Sequence, residues 1–294
     1  MNRHGRVWTT DALMLLTAAI WGSTFVAQQL GMDSVGPFAY TAARMTLGVL
    51  LIAPLWRWRG GPFAAIPVQA SSGLWRDGAL LGGVLFVAIN LQQVGLLGTS
   101  VANAGFITGL YVVLVPVLLA LAGRPAGAPV WLAVALATAG LYFLSVKPDA
   151  SIAPGDWLQL GGAAMWAAHV LLVDRYARRH DALRLSVVQY LVAAALSWAV
   201  ALARAEPMGP AALWDAAGAI AWGGILSIGV AYTLQVIAQR HAHPAHAAII
   251  YSSEGVFAAL GGWWMLGEAI GWRGWGGAAL ITAGMLVAQL GRRS

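Results

Sequence analysis

The chain has 294 residues, of which 60% are hydrophobic and only 10% are charged, with a formal net charge of +6 and no cysteine. A soluble domain is about 45–50% apolar and about 25% charged, so this composition excludes a water-soluble globule and indicates a polytopic membrane protein. The lack of cysteine excludes disulfides, thiol catalysis and thiolate-bound metals.

Long apolar runs recur along the whole chain, and a helix needs about 20 such residues to cross roughly 30 Å of hydrocarbon. The runs lack the short alternating segments of an outer-membrane barrel, so we predict transmembrane helices. The first run follows Arg3 and Arg6 and has no clear cleavage site, so we interpret it as a retained helix rather than a signal peptide. In chain order, the ten predicted spans cover 12–31, 36–56, 78–98, 100–123, 128–147, 155–175, 183–203, 214–238, 246–266 and 271–291.

The basic residues indicate the orientation, because cytoplasmic loops carry an excess of Lys and Arg. With ten spans and a cytoplasmic N-terminus, only Lys147, Arg204 and Arg273 fall in outer loops, and Arg44 falls within a span. The bias therefore favours ten helices with both termini inside. The inner loops and tails hold Arg3, Arg6, Arg57, Arg59, Arg76, Arg124, Arg175, Arg178, Arg179, Arg184, Arg240, Arg292 and Arg293.

An internal repeat divides the chain into two halves, predicted as 1–147 and 148–294. Ala18-Ala19-Ile20-Trp21 is echoed 145 residues later by Ala163-Ala164-Met165-Trp166, and Leu91-Gln92 is echoed at an offset of 143 by Leu234-Gln235. Five helices per half is an odd number, so the second half must enter the membrane from the opposite face. This predicts an all-α fold of two inverted five-helix repeats, an arrangement that many secondary transporters use to build a site at the midplane.

Two ionisable residues lie deep within predicted spans, where charge is costly and commonly functional. Arg44 lies in the outer half of the second span and Glu254 lies about as deep in the ninth, measured from the cytoplasmic side. One interpretation gives Arg44 the carboxylate of a substrate and gives Glu254 an amine or a proton. The other makes them a structural pair that neutralise each other or bond to backbone.

Polar and aromatic side chains in other spans extend this candidate site. Trp21, Thr24 and Gln28 share one face of the first helix. Tyr111 falls opposite Glu254 in the repeat register. The alternative is interhelical hydrogen bonding without a cavity, worth about 0.6 kcal/mol per bond on average. The predicted substrate-binding set is Trp21, Gln28, Arg44, Asn90, Gln93, Tyr111, Trp166, His169 and Glu254.

No metal, cofactor or catalytic site is expected. His241, His243 and His246 resemble a metal cluster but have no carboxylate or cysteine partner nearby in the sequence. The sequence contains no P-loop, HExxH or GxSxG motif, so we do not expect an ATP-driven pump or an enzyme. The net positive charge lies in short loops between spans, which indicates membrane topology rather than nucleic-acid binding.

Several segments resemble the EamA-type, ten-helix branch of the drug/metabolite transporter superfamily. They are Ala19-Ile20-Trp21-Gly22-Ser23-Thr24-Phe25, the second-span Arg44, Pro116, Leu266-Gly267-Glu268, and Trp275-Gly276-Gly277-Ala278-Ala279-Leu280-Ile281. The resemblance covers the whole chain and implies two inverted repeats that export small metabolites, with YddG-like amino-acid exporters the most similar group. It departs at Gly255, which stands where the second repeat often has proline, and at Arg124, which stands where the second repeat has Glu268.

The sequence thus predicts a multi-pass inner-membrane carrier that exports amino acids or related small metabolites by alternating access through a central cavity. Its expected partners are a small-molecule substrate and the lipid bilayer, and ten helices are enough to enclose a cavity in a monomer. The alternative is proton-coupled efflux of lipophilic cations, which requires Glu254 to exchange drug for proton.

Overall fold

The structure is a computed structural model that describes residues 3–57, 73–99, 101–145, 152–266 and 270–290. Within these ranges all regular structure is helical and no strand occurs. This helical structure agrees with the apolar composition, because a backbone in hydrocarbon must pair its own N–H and C=O groups, as it does in a helix. The predicted features at Arg59, Lys147, Glu268, Arg292 and Arg293 lie outside the described residues.

The helices of the first half follow the predicted spans, with one break. The predicted span at 100–123 consists of two helices that meet at Leu110. Within the second of them, Pro116 cannot donate a backbone hydrogen bond. The helices are α1 (Arg3–Gly31), α2 (Pro37–Arg57), α3 (Leu74–Gly95, followed by a 3₁₀ turn at Leu96–Gly98), α4 (Val101–Gly109), α5 (Tyr111–Leu121) and α6 (Ala128–Ser145).

The second half also follows the predicted spans but contains more irregular helix. The predicted span at 214–238 includes a π-helix, Trp222–Tyr232, in which the backbone turns are wider than in an α-helix. The helices are α7 (Pro154–Ala177), α8 (Ala182–Ala203), α9 (Pro210–Asp215), α10 (Ala217–Ala221), the π-helix, α11 (Thr233–Gln239), α12 (Pro244–Tyr251), α13 (Glu254–Leu266) and α14 (Trp272–Leu290).

The predicted span at 246–266 is broken at Ser252 and Ser253, between α12 and α13. Their hydroxyls donate to the carbonyls of Ile249 and Ile250, at 2.8 and 2.7 Å, and such local bonds compete with the helical ladder. The break therefore forms without proline. It lies 143 residues after Leu110, so both halves interrupt a helix at the same position of the repeat.

In the described part of the chain, six helical stretches are long and apolar enough to cross a membrane, and a shorter apolar helix covers Ala128–Leu144. All six coincide with predicted spans. They are Trp8–Gly31, Pro37–Leu55, Leu74–Gly98, Asn103–Leu121, Ala182–Ala203 and Ala217–Gln239.

The two halves pack against each other along pairs of equivalent helices. α2 packs on α8, and α6 packs on α14. At one end of α2 the Gly36 N–H donates to Pro207 O (3.1 Å), whereas further along the Trp198 Nε1–H donates to Thr46 Oγ1 (3.1 Å), so α2 and α8 run antiparallel.

Other helices also pack against helices of the opposite half. α1 packs on the π-helix and on α13, and its counterpart α7 packs on α3, α4 and α5. The main apolar core lies where these helices meet, around buried Met14, Leu85, Val115 and Tyr190. The molecule is thus a two-repeat helical bundle whose centre is shared by both halves.

Candidate functional site

A cavity at the centre of the bundle is built from both halves. The space open to water-sized molecules is only about 30 Å³, which is enough for about two water molecules. Sites for small molecules usually measure about 300–1,000 Å³, so the cavity in this structure is much smaller than a typical binding site. Its lining residues are Trp21, Thr24, Phe25, Gln28, Arg44, Ile89, Gln92, Thr108, Tyr111, Trp166, Val170, Ser227, Tyr232, Gln235, Tyr251 and Glu254.

Most lining residues occur as pairs related by the internal repeat, which places the cavity between the two halves. Trp21 and Trp166 are the most recognisable pair. The other pairs are Phe25 with Val170, Ile89 with Tyr232, Gln92 with Gln235, Thr108 with Tyr251, and Tyr111 with Glu254.

Arg44 is a buried cation with few partners. Its side chain is 1% exposed, and Nη2 donates one hydrogen bond to Gln93 Oε1 at 3.1 Å. The guanidinium also lies over the Tyr40 ring, 5.1 Å from its centroid, while Nε has no partner. Among the described residues no salt bridge joins Arg44 to a carboxylate, so the guanidinium is free to bind an anionic group.

Glu254 is the acidic counterpart in the same cavity. It is 4% exposed and begins α13, where the N-terminus of the helix favours negative charge. Its carboxyl group interacts with the hydroxyl of Tyr111, although neither Glu254 Oε1 nor the Tyr111 hydroxyl makes a hydrogen bond of ordinary geometry. In the described part of the chain no salt bridge links Glu254 to Arg44, so the mutually neutralising pair that the sequence left open is not formed.

Aromatic rings occupy the space around these charges. The Trp21 ring lies 4.8 Å from that of Tyr232 and 5.3 Å from that of Tyr251, measured between centroids. Trp166 stacks on Tyr232 at 5.9 Å. The hydroxyl of Tyr251 and the indole nitrogen of Trp21 have no hydrogen-bond partner. The cavity therefore offers an apolar aromatic wall with a few free polar atoms.

A chain of amide side chains connects the helices around the cavity. Gln93 Nε2 donates to the carbonyl of Gln28 at 3.3 Å, and Gln92 Nε2 donates to Gln28 Oε1 at 3.1 Å. Trp166 Nε1 donates to Gln92 Oε1 at 2.9 Å. Together with the Arg44–Gln93 bond, this network ties α1, α2, α3 and α7 together and holds the cationic group in place.

The structure brings six members of the predicted site to the cavity wall and places three elsewhere. Gln93 lies one contact away, as the acceptor for Arg44. His169 lies behind the wall, where Nε2 is 3.1 Å from Gln189 Oε1. Asn90 faces a separate outer groove and donates to Ser197 Oγ at 3.0 Å. The six at the wall are Trp21, Gln28, Arg44, Tyr111, Trp166 and Glu254.

Ten of the lining residues were not in the predicted set, and the polar and aromatic residues Tyr232, Tyr251 and Gln235 are among them. The repeat register contained the signal for them, because each lies 143 residues after a first-half residue that also lines the cavity. This signal could not be used from the sequence alone, because the counterparts, Ile89, Gln92 and Thr108, were not in the predicted set either.

The cluster of histidines near 241–246 serves structural contacts. His246 Nε2 lies 3.1 Å from Asp11 Oδ1, and His243 Nδ1 accepts from the Ala245 N–H at 3.3 Å, which caps α12. Partial burial lowers the pKa of His243, which keeps the capping nitrogen unprotonated. Within the described ranges no group of His, Asp and Glu side chains could hold a metal ion.

Comparisons with known proteins agree with this architecture. The model of the EamA-like transporter family matches the chain twice, over residues 8–146 and 153–289. An uncharacterized transporter from Archaeoglobus fulgidus is 30% identical over 283 residues, which are 95% of this chain and 85% of that protein. The fold is similar to that of a protein solved by crystallography, with 21% identity, a TM-score of 0.76, and coverage of 97% of this chain and 98% of the other. The chain therefore belongs to the EamA-like transporter family of the drug/metabolite transporter superfamily.

Proposed function

We propose that the protein exports amino acids or related small zwitterionic metabolites across the inner membrane by alternating access. In this proposal ten helices span the membrane, both termini are cytoplasmic, and the inverted halves are residues 1–147 and 148–294. Membership of a transporter family supports transport. The substrate class is supported by the chemistry of the central cavity.

The observation that carries the proposal is that Arg44 and Glu254 line one cavity without neutralising each other. A buried charge without a partner is costly, so it persists where a ligand completes it. A zwitterion supplies both partners, since its carboxylate suits the guanidinium and its ammonium suits the carboxyl group. The rings of Trp21, Trp166 and Tyr232 would pack the apolar side chain of such a ligand.

The backbone supports alternating access. Antiparallel packing of α2 on α8, which are equivalent in the two repeats, is the relation expected of inverted halves. Both halves also break a helix beside the cavity, at Leu110 and at Ser252–Ser253. Because the cavity now has room for about two waters, substrate entry requires these helices to separate.

Transport by the purified protein in liposomes tests this proposal. We expect uptake of some members of a labelled L-amino-acid panel, and loss of that uptake in Arg44→Ala and Glu254→Gln variants that fold normally. Arg76→Ala, which changes an arginine whose side chain is 87% exposed, is a suitable control. A fully folded protein that moves none of the panel would overturn the substrate class.

A second candidate, proton-coupled efflux of lipophilic cations, is favoured by one observation. Glu254 lies among aromatic rings in the cavity, and a carboxylate beside aromatic faces suits an organic cation. This mechanism predicts competition between protons and substrate that disappears in Glu254→Gln. It also predicts that Arg44→Ala leaves cation transport intact, which separates it from the zwitterion carrier.

A further inference from the structure

The π-helix at Trp222–Tyr232 packs directly on the part of α2 that carries Arg44. Two consecutive glycines, Gly223 and Gly224, form this contact. One turn earlier, the hydroxyl of Tyr40 donates to the carbonyl of Ala219 at 3.1 Å, which anchors α2 to the helix that leads into the π-helix.

Gly223 faces the side chain of Arg44 itself. A Cβ atom at position 223 would lie 3.1 Å from Arg44 Cδ and 3.0 Å from the Tyr40 hydroxyl oxygen. Both distances are shorter than ordinary van der Waals contact, so a methyl group would displace the neighbours by a few tenths of an ångström. The absence of a side chain at Gly223 is therefore what leaves room for the present path of the Arg44 side chain.

Gly224 makes a different contact, with the backbone of α2. A Cβ atom there would lie 3.0 Å from the Arg44 carbonyl oxygen and 2.8 Å from Leu47 Cβ. Gly224 thus sets the spacing of the two helices, whereas Gly223 leaves room for the side chains of Arg44 and Tyr40. The guanidinium has one hydrogen bond, to Gln93, and its stacking on Tyr40, so little else would restore its position after a shift.

We propose that Gly223 is a positioning residue that places the Arg44 guanidinium for recognition of the substrate carboxylate. The inference rests on the proposed function, in which Arg44 binds that carboxylate. π-Helical segments often lie at functional sites. In this protein the segment presents Gly223 to Arg44 at the cavity wall.

The test compares Gly223→Ala with Gly218→Ala. Gly218 lies in α10 just before the π-helix, and a Cβ atom there would meet nothing within 4 Å, so its substitution is a matched control. Binding is measured for a panel of L-amino acids and for the matching L-amino-acid amides, which keep the ammonium group and side chain but lack the carboxylate.

We expect Gly223→Ala to reduce the preference for acid over amide by about three- to tenfold, because sub-ångström misplacement of a binding group weakens a directional contact. Gly218→Ala should keep the preference of the wild type. A general packing defect would weaken the binding of acids and amides equally and leave the ratio of their affinities unchanged. A change in this ratio therefore indicates a positioning role rather than a structural one. Gly223→Val should enlarge the effect.

Two results would overturn the inference. One of them leaves the proposed function intact, and the other also rules out the proposed role of Arg44. If the wild type prefers acids and both Gly223 variants keep that preference, the positioning role is wrong and the proposed function stands. If the wild type binds acid and amide equally, the role of Arg44 in carboxylate binding is wrong, and the role of Gly223 is wrong with it.

Discussion

Arg44 shows the conflict between stability and function at the scale of a residue. The side chain is 1% exposed, and no carboxylate among the described residues pairs with it. Even a complete buried ion pair can often be replaced by apolar groups of similar volume at no cost or with a gain of about 1–4 kcal/mol, and Arg44 has no ion-pair partner within the described ranges to offset its desolvation. In the proposed function, ligand binding rather than packing accounts for the buried guanidinium.

This account predicts opposite effects of Arg44→Met on stability and on binding. The thermal midpoint should stay the same or rise, since a buried charge is removed, while amino-acid binding should be lost. Thermal unfolding in detergent and equilibrium binding measure the two effects. Arg204→Met, which changes an arginine with a 67% exposed side chain, should leave binding unchanged. A strongly destabilised Arg44→Met protein would instead show that the arginine has a structural role.

The sequence could not predict which polar side chains point into the cavity. The cost of burying charge singled out Arg44 and Glu254, and both line the cavity. Asn90 and Gln93 are three residues apart on α3, yet Gln93 contacts Arg44 while Asn90 contacts Ser197. Because α3 packs on both α7 and α8, polar groups on either side of it find buried partners. Spacing alone does not distinguish the side that faces the cavity.

At the scale of elements, hydropathy predicted where helices lie but not where they break. Periodicity treats 246–266 as one span, whereas the hydroxyls of Ser252 and Ser253 bond to backbone carbonyls and divide it. Hydropathy also did not indicate the π-helix at Trp222–Tyr232, which packs against both α1 and α2.

The α6–α14 pair gives a direct test of helix packing. A Cβ atom at Gly277 would collide with the backbone of α6 at Gly140 and Leu144, whereas a Cβ atom at adjacent Gly276 would meet nothing within 4 Å. We expect Gly277→Ala to cost about 1–3 kcal/mol through overpacking. Gly276→Ala should be neutral or slightly stabilising, since alanine favours helix. Equal thermal midpoints for the two variants would contradict the close crossing of these helices.

His243 makes the start of α12 sensitive to pH. Burial lowers its pKa in the folded protein, so the neutral form, whose Nδ1 accepts from the Ala245 N–H, contributes stability above the unfolded value of about 6.5. That contribution is lost as the pH falls through the lowered folded pKa. The wild type should therefore lose more stability between pH 7.5 and pH 5 than His243→Asn, which keeps a capping acceptor. Parallel loss of stability in the two proteins would show that the cap does not titrate.

At the scale of the whole molecule, the repeat in the sequence corresponds to the architecture of the cavity. The echo of Trp21 by Trp166 pointed to two related halves, and both residues line the shared centre. The sequence did not predict the size of the cavity. A cavity of about 30 Å³ results from how all the helices pack together, and no single segment encodes it.

Alternating access can be measured with cysteine labelling, because the natural chain contains no cysteine and needs no background substitutions. Thr24 lines the cavity and is 1% exposed, whereas Leu50 is 65% exposed on the outer surface of a predicted span. Thr24→Cys therefore reports on the cavity. Leu50→Cys serves as a control on the predicted lipid-facing surface and should not react with a membrane-impermeant thiol reagent.

The most direct test of the account is the rate at which Thr24→Cys, in oriented membranes, reacts with such a reagent added to one face at a time. We predict reaction from the cytoplasmic face and, separately, from the outer face, with both rates reduced by a transported amino acid. Reaction from one face only, under every substrate condition, would contradict a cavity that opens alternately to the two sides.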